Sequence, residues 1–300
     1  MRLTTWNCQP GLASNWDVIE ELGANVIAIQ EARSDTEDLV AQHDGWACIW
    51  QEGMYYPGLA VLARKPFKIE GREASERFSV WALIAGPVRF RFVNFWAMTP
   101  RSVGGLSYTQ QARRIIEGLP DDDLPTVVAG DFNHSKYPPH LENVRRLEER
   151  GLVSAYHKFH PAQQVGQETE RTRYARGRDD PSWHIDLVFV PESWTITSVD
   201  VGTFERYPGS GRGDHAPVTV TIGASDDELR FFLRLIDPRG RDVLRRLMRA
   251  DQHERDEFAA ALQRHASGSA SDLADLIDLA SLNPGTRRRL AQLLGELEAP

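Results

Sequence analysis

The chain's 300 residues suffice for one large domain or two ordinary ones, and 41% hydrophobic with 26% charged content describes a globular protein with a sizeable core. No run is apolar for long enough to span a bilayer, so no membrane association is expected, and Met1-Arg2-Leu3-Thr4-Thr5-Trp6-Asn7 lacks the apolar segment of a secretory signal. A net charge of −8 weakens, without excluding, nucleic-acid binding, because non-specific affinity for phosphates comes from Lys and Arg. Cys8 and Cys48 are too few for a disulfide framework and lack metal-site spacing, which fits a cytoplasmic location.

In chain order, 1–7 reads as a strand ending at Asn7. Residues 14–22 read as a helix capped by Ser14 and stopped by Gly23, with Trp16, Ile19 and Leu22 at helical spacing. The apolar run 25–31 predicts a buried strand ending in Gln30 and Glu31. A short helix over 36–42 and strands over 46–51, 58–64, 78–84 and 88–98 follow. Helix 107–119 is expected to expose Gln111, Arg114 and Glu117. Residues 125–130 form a β-branched strand leading into Gly130-Asp131-Phe132-Asn133, and alternation along it sets Asp131 and Asn133 on one side. After a helix over 140–150, the polar, Arg-rich stretch 157–182 reads as a long surface loop. Strands recur over 183–190, 195–202 and 216–222. From Ser225 the periodicity turns helical, so a domain of residues 1–224 and a helical extension of residues 225–300 are expected.

Five strand ends therefore carry polar groups: Asn7; Glu31; Asp131 with Asn133; His184 with Asp186; and Asp214 with His215. Each alone is an ordinary turn pattern. Together they supply hard oxygen ligands suited to Mg2+ or Mn2+ rather than zinc, and an Asp–His pair able to work near neutral pH. Asn and His can donate hydrogen bonds to a phosphoryl oxygen as charge builds in a transition state. Nothing resembles a serine-type triad.

Trp6-Asn7, Gln30-Glu31, Gly130-Asp131-Phe132-Asn133, His184-Ile185-Asp186 and Gly213-Asp214-His215-Ala216-Pro217 resemble, in that order, the signature motifs of the endonuclease–exonuclease–phosphatase superfamily. The resemblance spans about 1–222. It implies an α/β (α+β) fold, the DNase-I-like four-layer sandwich, with two mainly antiparallel sheets face to face and helices outside. It also implies Glu31 as principal Mg2+ ligand beside Asn7 and Asp214. Asp131 is implied to orient or deprotonate the attacking water, Asn133 to stabilise the pentavalent phosphorus, and His215, held by Asp186, to bond the phosphate. Two positions depart from the pattern. Trp96 stands where many members carry His or Tyr, and Gly213 where Ser is common.

Arg171, Arg173, Arg176 and Arg178 could meet substrate phosphates, as could His134, Lys136 and His184; Tyr55, Tyr56 and Trp50 could stack on bases. His157 and His160 read as structural or surface groups. The apolar stripes of 225–300 call for a cover, on the sandwich, a second copy or another protein. The expected activity is Mg2+-dependent hydrolysis of a phosphodiester in nucleic acid, by endo- or exonuclease action. The alternatives are a phosphatase or diesterase for a small molecule or lipid headgroup, and a non-catalytic module working through its tail.

Overall fold

The computed structural model describes residues 1–223 apart from 10, 54–56, 74, 134–137, 176–177 and 180–181. The expectations for Tyr55, Tyr56, His134, Lys136, Arg176 and the extension 225–300 lie outside the described residues.

Strand β2 (Val26–Ala32) shows how the sequence builds the layers. Val26 and Ala28 face one core while Ile27 and Ile29 face another, so both faces of the strand are dry there and its sequence is apolar from Val26 to Ile29. Each such branched side chain removed from water contributes about 1.5–3 kcal/mol. On its outer side β2 packs under α1 (Trp16–Leu22) and α2 (Thr36–Val40), through Val18, Ile19, Leu22 and Val40. On its inner side it meets a second sheet.

The first sheet has the order β13-β14-β1-β2-β4-β3, the second β5-β6-β7-β8-β12-β9. The first comprises β1 (Arg2–Asn7), β2, β3 (Trp46–Gln51), β4 (Gly58–Arg64), β13 (Ile196–Val201) and β14 (Val218–Ile222). The second comprises β5 (Lys68–Glu73), β6 (Ser79–Ala85), β7 (Phe90–Trp96), β8 (Thr126–Asp131), β9 (Leu152–Ser154) and β12 (Asp186–Pro191). β1 runs parallel to β2 and β7 parallel to β8; the other pairings described are antiparallel. The outer face of the second sheet is covered by α3 (Tyr108–Gly118) and α4 (Pro138–Glu149), through Ile115, Ile116, Val144 and Leu147. This is the four-layer α/β sandwich.

Several expectations need correction. Gln111 is fully buried, not exposed: its side chain accepts from the Met98 N–H at 2.9 Å and donates to the carbonyls of Met98 and Leu106. The stretch 157–182 is not simply a surface loop. It begins inside α5 (Ala155–Phe159), buries Glu168 and Thr172, and includes β10 (Arg173–Tyr174), which pairs with β11 (Ser182–Trp183). Strand β12 starts at Asp186, so His184 lies outside it. β5 and β9 had no sequence signal strong enough to separate them from loop: β5, on a sheet edge, has four charged residues and a glycine among its six, and β9 is three residues long. No described helix is long and apolar enough to cross a membrane.

Candidate active site

In the parallel β1–β2 pair Asn7, the last residue of β1, lies opposite Gln30, and Glu31 follows at an irregularity near the end of β2; β8 ends at Asp131 on the facing sheet. β12 is antiparallel to β8 with Asp186 opposite Asp131, so its first residue joins the last residue of β8. β14 is antiparallel to β1, which brings the residues just before it, Asp214 and His215, to the same rim. Topology alone thus gathers five strand ends at one edge.

The side chains interlock there. Asn7 Nδ2 donates to Glu31 Oε1 at 3.0 Å and to Asp131 Oδ2 at 3.4 Å. His215 Nδ1 lies 2.8 Å from Asp186 Oδ2, and its Nε2 lies 3.9 Å from both Asp131 Oδ2 and Asp214 Oδ1. The His215 carbonyl accepts from the Trp6 indole at 3.1 Å. Asp131, Asp186 and His215 each offer an atom within 4.8 Å of the others, and all three are buried.

Backbone conformation at this rim is unusual. Among the described residues, Glu31 and Asn133 are the non-glycine ones with positive φ, 57° and 42°. Such conformations cost about 1–3 kcal/mol each, persist when the surroundings enforce them, and cluster at functional sites. Asn133 reaches Asp131 by a turn rather than by strand alternation, since β8 ends at Asp131, two residues before Asn133. The Asn133 N–H donates to Asp131 Oδ1 at 2.9 Å, and its amide donates to the Ala97 carbonyl at 2.8 Å. Gly130 is obligatory at the approach: a Cβ there would sit 1.7 Å from the Phe95 carbonyl oxygen.

Charge is crowded. Burial raises the Glu31 carboxyl above its ordinary value despite the Asn7 hydrogen bond. Burial, reinforced by Asp186, pushes Asp131 up to about 7. For His215, burial opposes the imidazolium, but Asp186 by charge and hydrogen bond, with Asp131 and Asp214, outweighs it and raises the ring to about 9. The Oδ1 of Asn7 is buried with no hydrogen-bond partner among the described residues. A hard divalent cation suits this set: it would engage the orphaned amide oxygen and offset acids that burial holds above their usual range.

The expected substrate contacts divide. Arg173 reaches the rim, with Nη2 3.6 Å from Asp214 Oδ2 and its guanidinium 5.7 Å from the centre of the Trp183 ring. Trp96 stands beside Asp131 in the parallel β7–β8 register, half-buried. Arg171 instead bonds the Glu168 carbonyl. His184 turns away onto the Glu170 carbonyl, at 3.0 Å, and packs on Tyr156; burial lowers its pKa. Trp183, 42% exposed, was not singled out from sequence, although an indole in a polar loop is itself a signal.

A two-sheet sandwich whose rim joins acids, an amide and an Asp-held imidazole is the architecture of phosphoester hydrolases. The sequence model of the Endonuclease/Exonuclease/phosphatase family matches residues 4–226, and the chain belongs to that family. An AP endonuclease from Archaeoglobus fulgidus superposes with a TM-score of 0.59 at 16% identity, covering 75% of this chain and 100% of its own. A 3′ phosphatase from Neisseria, solved with a product DNA hairpin, gives 0.56 at 17% identity over the same shares. A mannosyl-6-phosphatase from Bacteroides thetaiotaomicron gives 0.50 at 16%, again over 75% and 100%. At these identities the likeness is one of fold. None of the curated proteins matches the chain in sequence.

Proposed function

We infer that this chain is a divalent-metal-dependent phosphodiesterase acting on nucleic acid, with its activity in residues 1–224 and 225–300 as an appended segment. The observation that carries the reading is the Asp186–His215–Asp131 array beside the unpartnered Asn7 Oδ1. Glu31, Asn7 and Asp214 would hold Mg2+ or Mn2+, which when bound would neutralise charge on the phosphoryl group. Asp186 holds Nδ1 of the His215 ring, so that Nε2, which faces Asp131 and Asp214, would donate to a phosphoryl oxygen. Asp131, buried between Asn7 and Asn133, is placed to take a proton from water, and the strained turn at Asn133 holds an amide near the same point.

Nucleic acid is favoured over a small phosphate ester by the exposed Trp183 with Arg173 stacked on it, since β10 joins His215 directly through the Arg173–His215 bridge. An indole for a base and a guanidinium for a phosphate form the usual platform for a single strand, and base stacking contributes about 1–3 kcal/mol. The solved DNA complex of the Neisseria phosphatase accords with this choice of substrate.

The test is turnover of single- and double-stranded DNA, RNA and soluble phosphate monoesters with Mg2+, Mn2+ or EDTA. Metal-dependent cleavage of a nucleic acid, abolished by Asp131→Ala and His215→Ala and weakened by Trp183→Ala mainly through KM, is expected. Turnover confined to a small monoester would move the assignment to the phosphatase reading, which the half-buried Trp96 and the acidic net charge favour. No metal-dependent turnover of any substrate would overturn both.

A further inference from the structure

His215 and Asp186 belong to different sheets: β14 follows His215 in the first, and β12 opens at Asp186 in the second. Their 2.8 Å hydrogen bond therefore depends on how the two sheets are tied at the rim. Asp186 does little to fix itself. Its Oδ1 is buried with no hydrogen-bond partner among the described residues, and its Oδ2 bonds His215. Whatever orients this carboxylate must act through its backbone.

Thr172 does so. It is fully buried, and its hydroxyl oxygen accepts two backbone N–H groups, from Ile185 at 2.9 Å and from Asp186 at 3.1 Å. Its own N–H donates to the Trp183 carbonyl at 2.8 Å, which ties it again to the β12 side. Its carbonyl accepts from the Ala216 N–H at 2.7 Å, one residue beyond His215. Two residues on, the Tyr174 N–H donates to the Asp214 carbonyl at 2.8 Å, and Arg173 bridges His215 between them. One residue thus grips the backbone of Asp186 with its side chain and the backbone next to His215 with its main chain.

We propose that Thr172 is a positioning residue for the Asp186–His215 pair, acting as a polar staple between the two sheets. The proposal rests on reading that pair as catalytic only for its effect on rate; its effect on geometry stands alone. A hydroxyl is required because two buried N–H groups at the start of β12 need an acceptor, and a methyl in its place would leave them without one. The strand end would then shift to find a partner, and the Asp186 carboxylate would move with it. A displacement of about 1 Å between groups that must be aligned costs roughly 100-fold in rate. The residue carried no signal in the sequence, where it is one of two threonines in an Arg-rich stretch.

The full-length chain should be compared as wild type, Thr172→Ser, Thr172→Val and Thr172→Ala. Thermal unfolding identifies which variants fold. The low-field Nδ1–H resonance of His215, assigned by its loss in Asp186→Asn, reports the imidazole–carboxylate bond without any substrate. Thr172→Ser should keep that resonance and a near-wild-type kcat. Thr172→Val should lose or displace it, with kcat lower by roughly 10- to 100-fold and KM little changed. If Thr172→Val does not fold, Thr172→Ala takes its place. Retention of the wild-type resonance in a folded Val or Ala variant would overturn the proposal. So would its loss in Ser to the same degree as in Val, or its absence from the wild type. If the wild type turns over no phosphoester while Val still loses the resonance, the functional reading falls and the staple stands.

Discussion

Gln30 donates to Asn94 Oδ1 at 2.7 Å, joining β2 of one sheet to β7 of the other one residue before Glu31. Both side chains are fully buried. The same Gln30 amide reaches Thr5 Oγ1 at 3.1 Å, while Asn94 donates to the Ile29 and Ala60 carbonyls, each at 2.8 Å. A polar network inside an apolar sandwich is stabilising only when its members are satisfied, and this one is. It fixes the spacing of the sheets where β2 delivers Glu31.

Asn94→Leu should therefore cost more than its shape suggests. Leu fills the volume but leaves the Gln30 amide short of an acceptor, so about 2–3 kcal/mol of stability should be lost. Urea unfolding of the full chain measures it. A midpoint unchanged from wild type would show that the network does not tie the sheets.

Gly130→Ala probes the other sheet. The added Cβ would meet the Phe95 carbonyl carbon at 2.6 Å as well as its oxygen, with the parallel β7–β8 pair in register at Phe95 and Gly130. Backbone cannot yield as a flexible side chain can, so β7 and β8 must separate. A loss above about 4 kcal/mol, or failure to fold, is expected from overpacking at rigid backbone. A folded variant of wild-type stability would mean the strands part easily here.

Glu31→Gln should raise the stability of the metal-free chain. Burial lifts the Glu31 carboxyl above its ordinary value, so the fold favours its protonated form. The stability it allows is complete below the unfolded value and is lost as pH rises through the raised one. Gln removes a carboxylate whose charged form burial disfavours, while it can still accept from Asn7 Nδ2. A Tm in EDTA above that of wild type, by a margin that widens as pH rises, is expected. Mg2+ should raise the Tm of wild type and leave the variant unmoved. A Glu31→Gln protein less stable than wild type in EDTA would contradict the electrostatic account.

The legible part of this molecule follows from local rules. Strand β2 is readable because burial on both faces makes it apolar from Val26 to Ile29, and the acids at the rim stand where such runs stop. Ser107 and Gln110 form a capping box at the start of α3, which sequence placed within one residue. The illegible parts depend on partners distant in the chain. Gln111 looks like a solvent-facing glutamine until the Met98 backbone arrives beside it. His184 shares a short motif with Asp186, yet the strand begins only at Asp186, and the ring turns to Tyr156 instead. Arg171 and Arg173, alike in composition, separate because one bonds the loop's own backbone and the other pairs with Asp214.

Glu168 offers a pH-dependent test away from the rim. It is buried, with Oε1 3.2 Å from His157 Nε2 and 2.9 Å from the Gly166 N–H that donates to it. Burial works against its charge, but hydrogen bonds from His157 and the backbone, with help from His184, prevail and lower its pKa to about 2 from 4.5. A depressed carboxylate contributes stability that is present above the unfolded value of 4.5 and disappears as pH falls toward 2. The contribution at neutral pH is of the order of 2–3 kcal/mol, and its loss appears as an extra uptake of about one proton on unfolding. Urea midpoints measured from pH 6 down to about 2 should fall more steeply for wild type than for Glu168→Gln, and the two curves should converge at the acid end. Parallel curves across that window would mean that the carboxylate is not held by these donors. Because Glu168 lies four residues before Thr172 on the same segment, the variant should also loosen the strap that spans Asp186 and His215. Hydrogen exchange at the Ala216 and Tyr174 amides, which bond Thr172 and Asp214, should quicken in it at neutral pH.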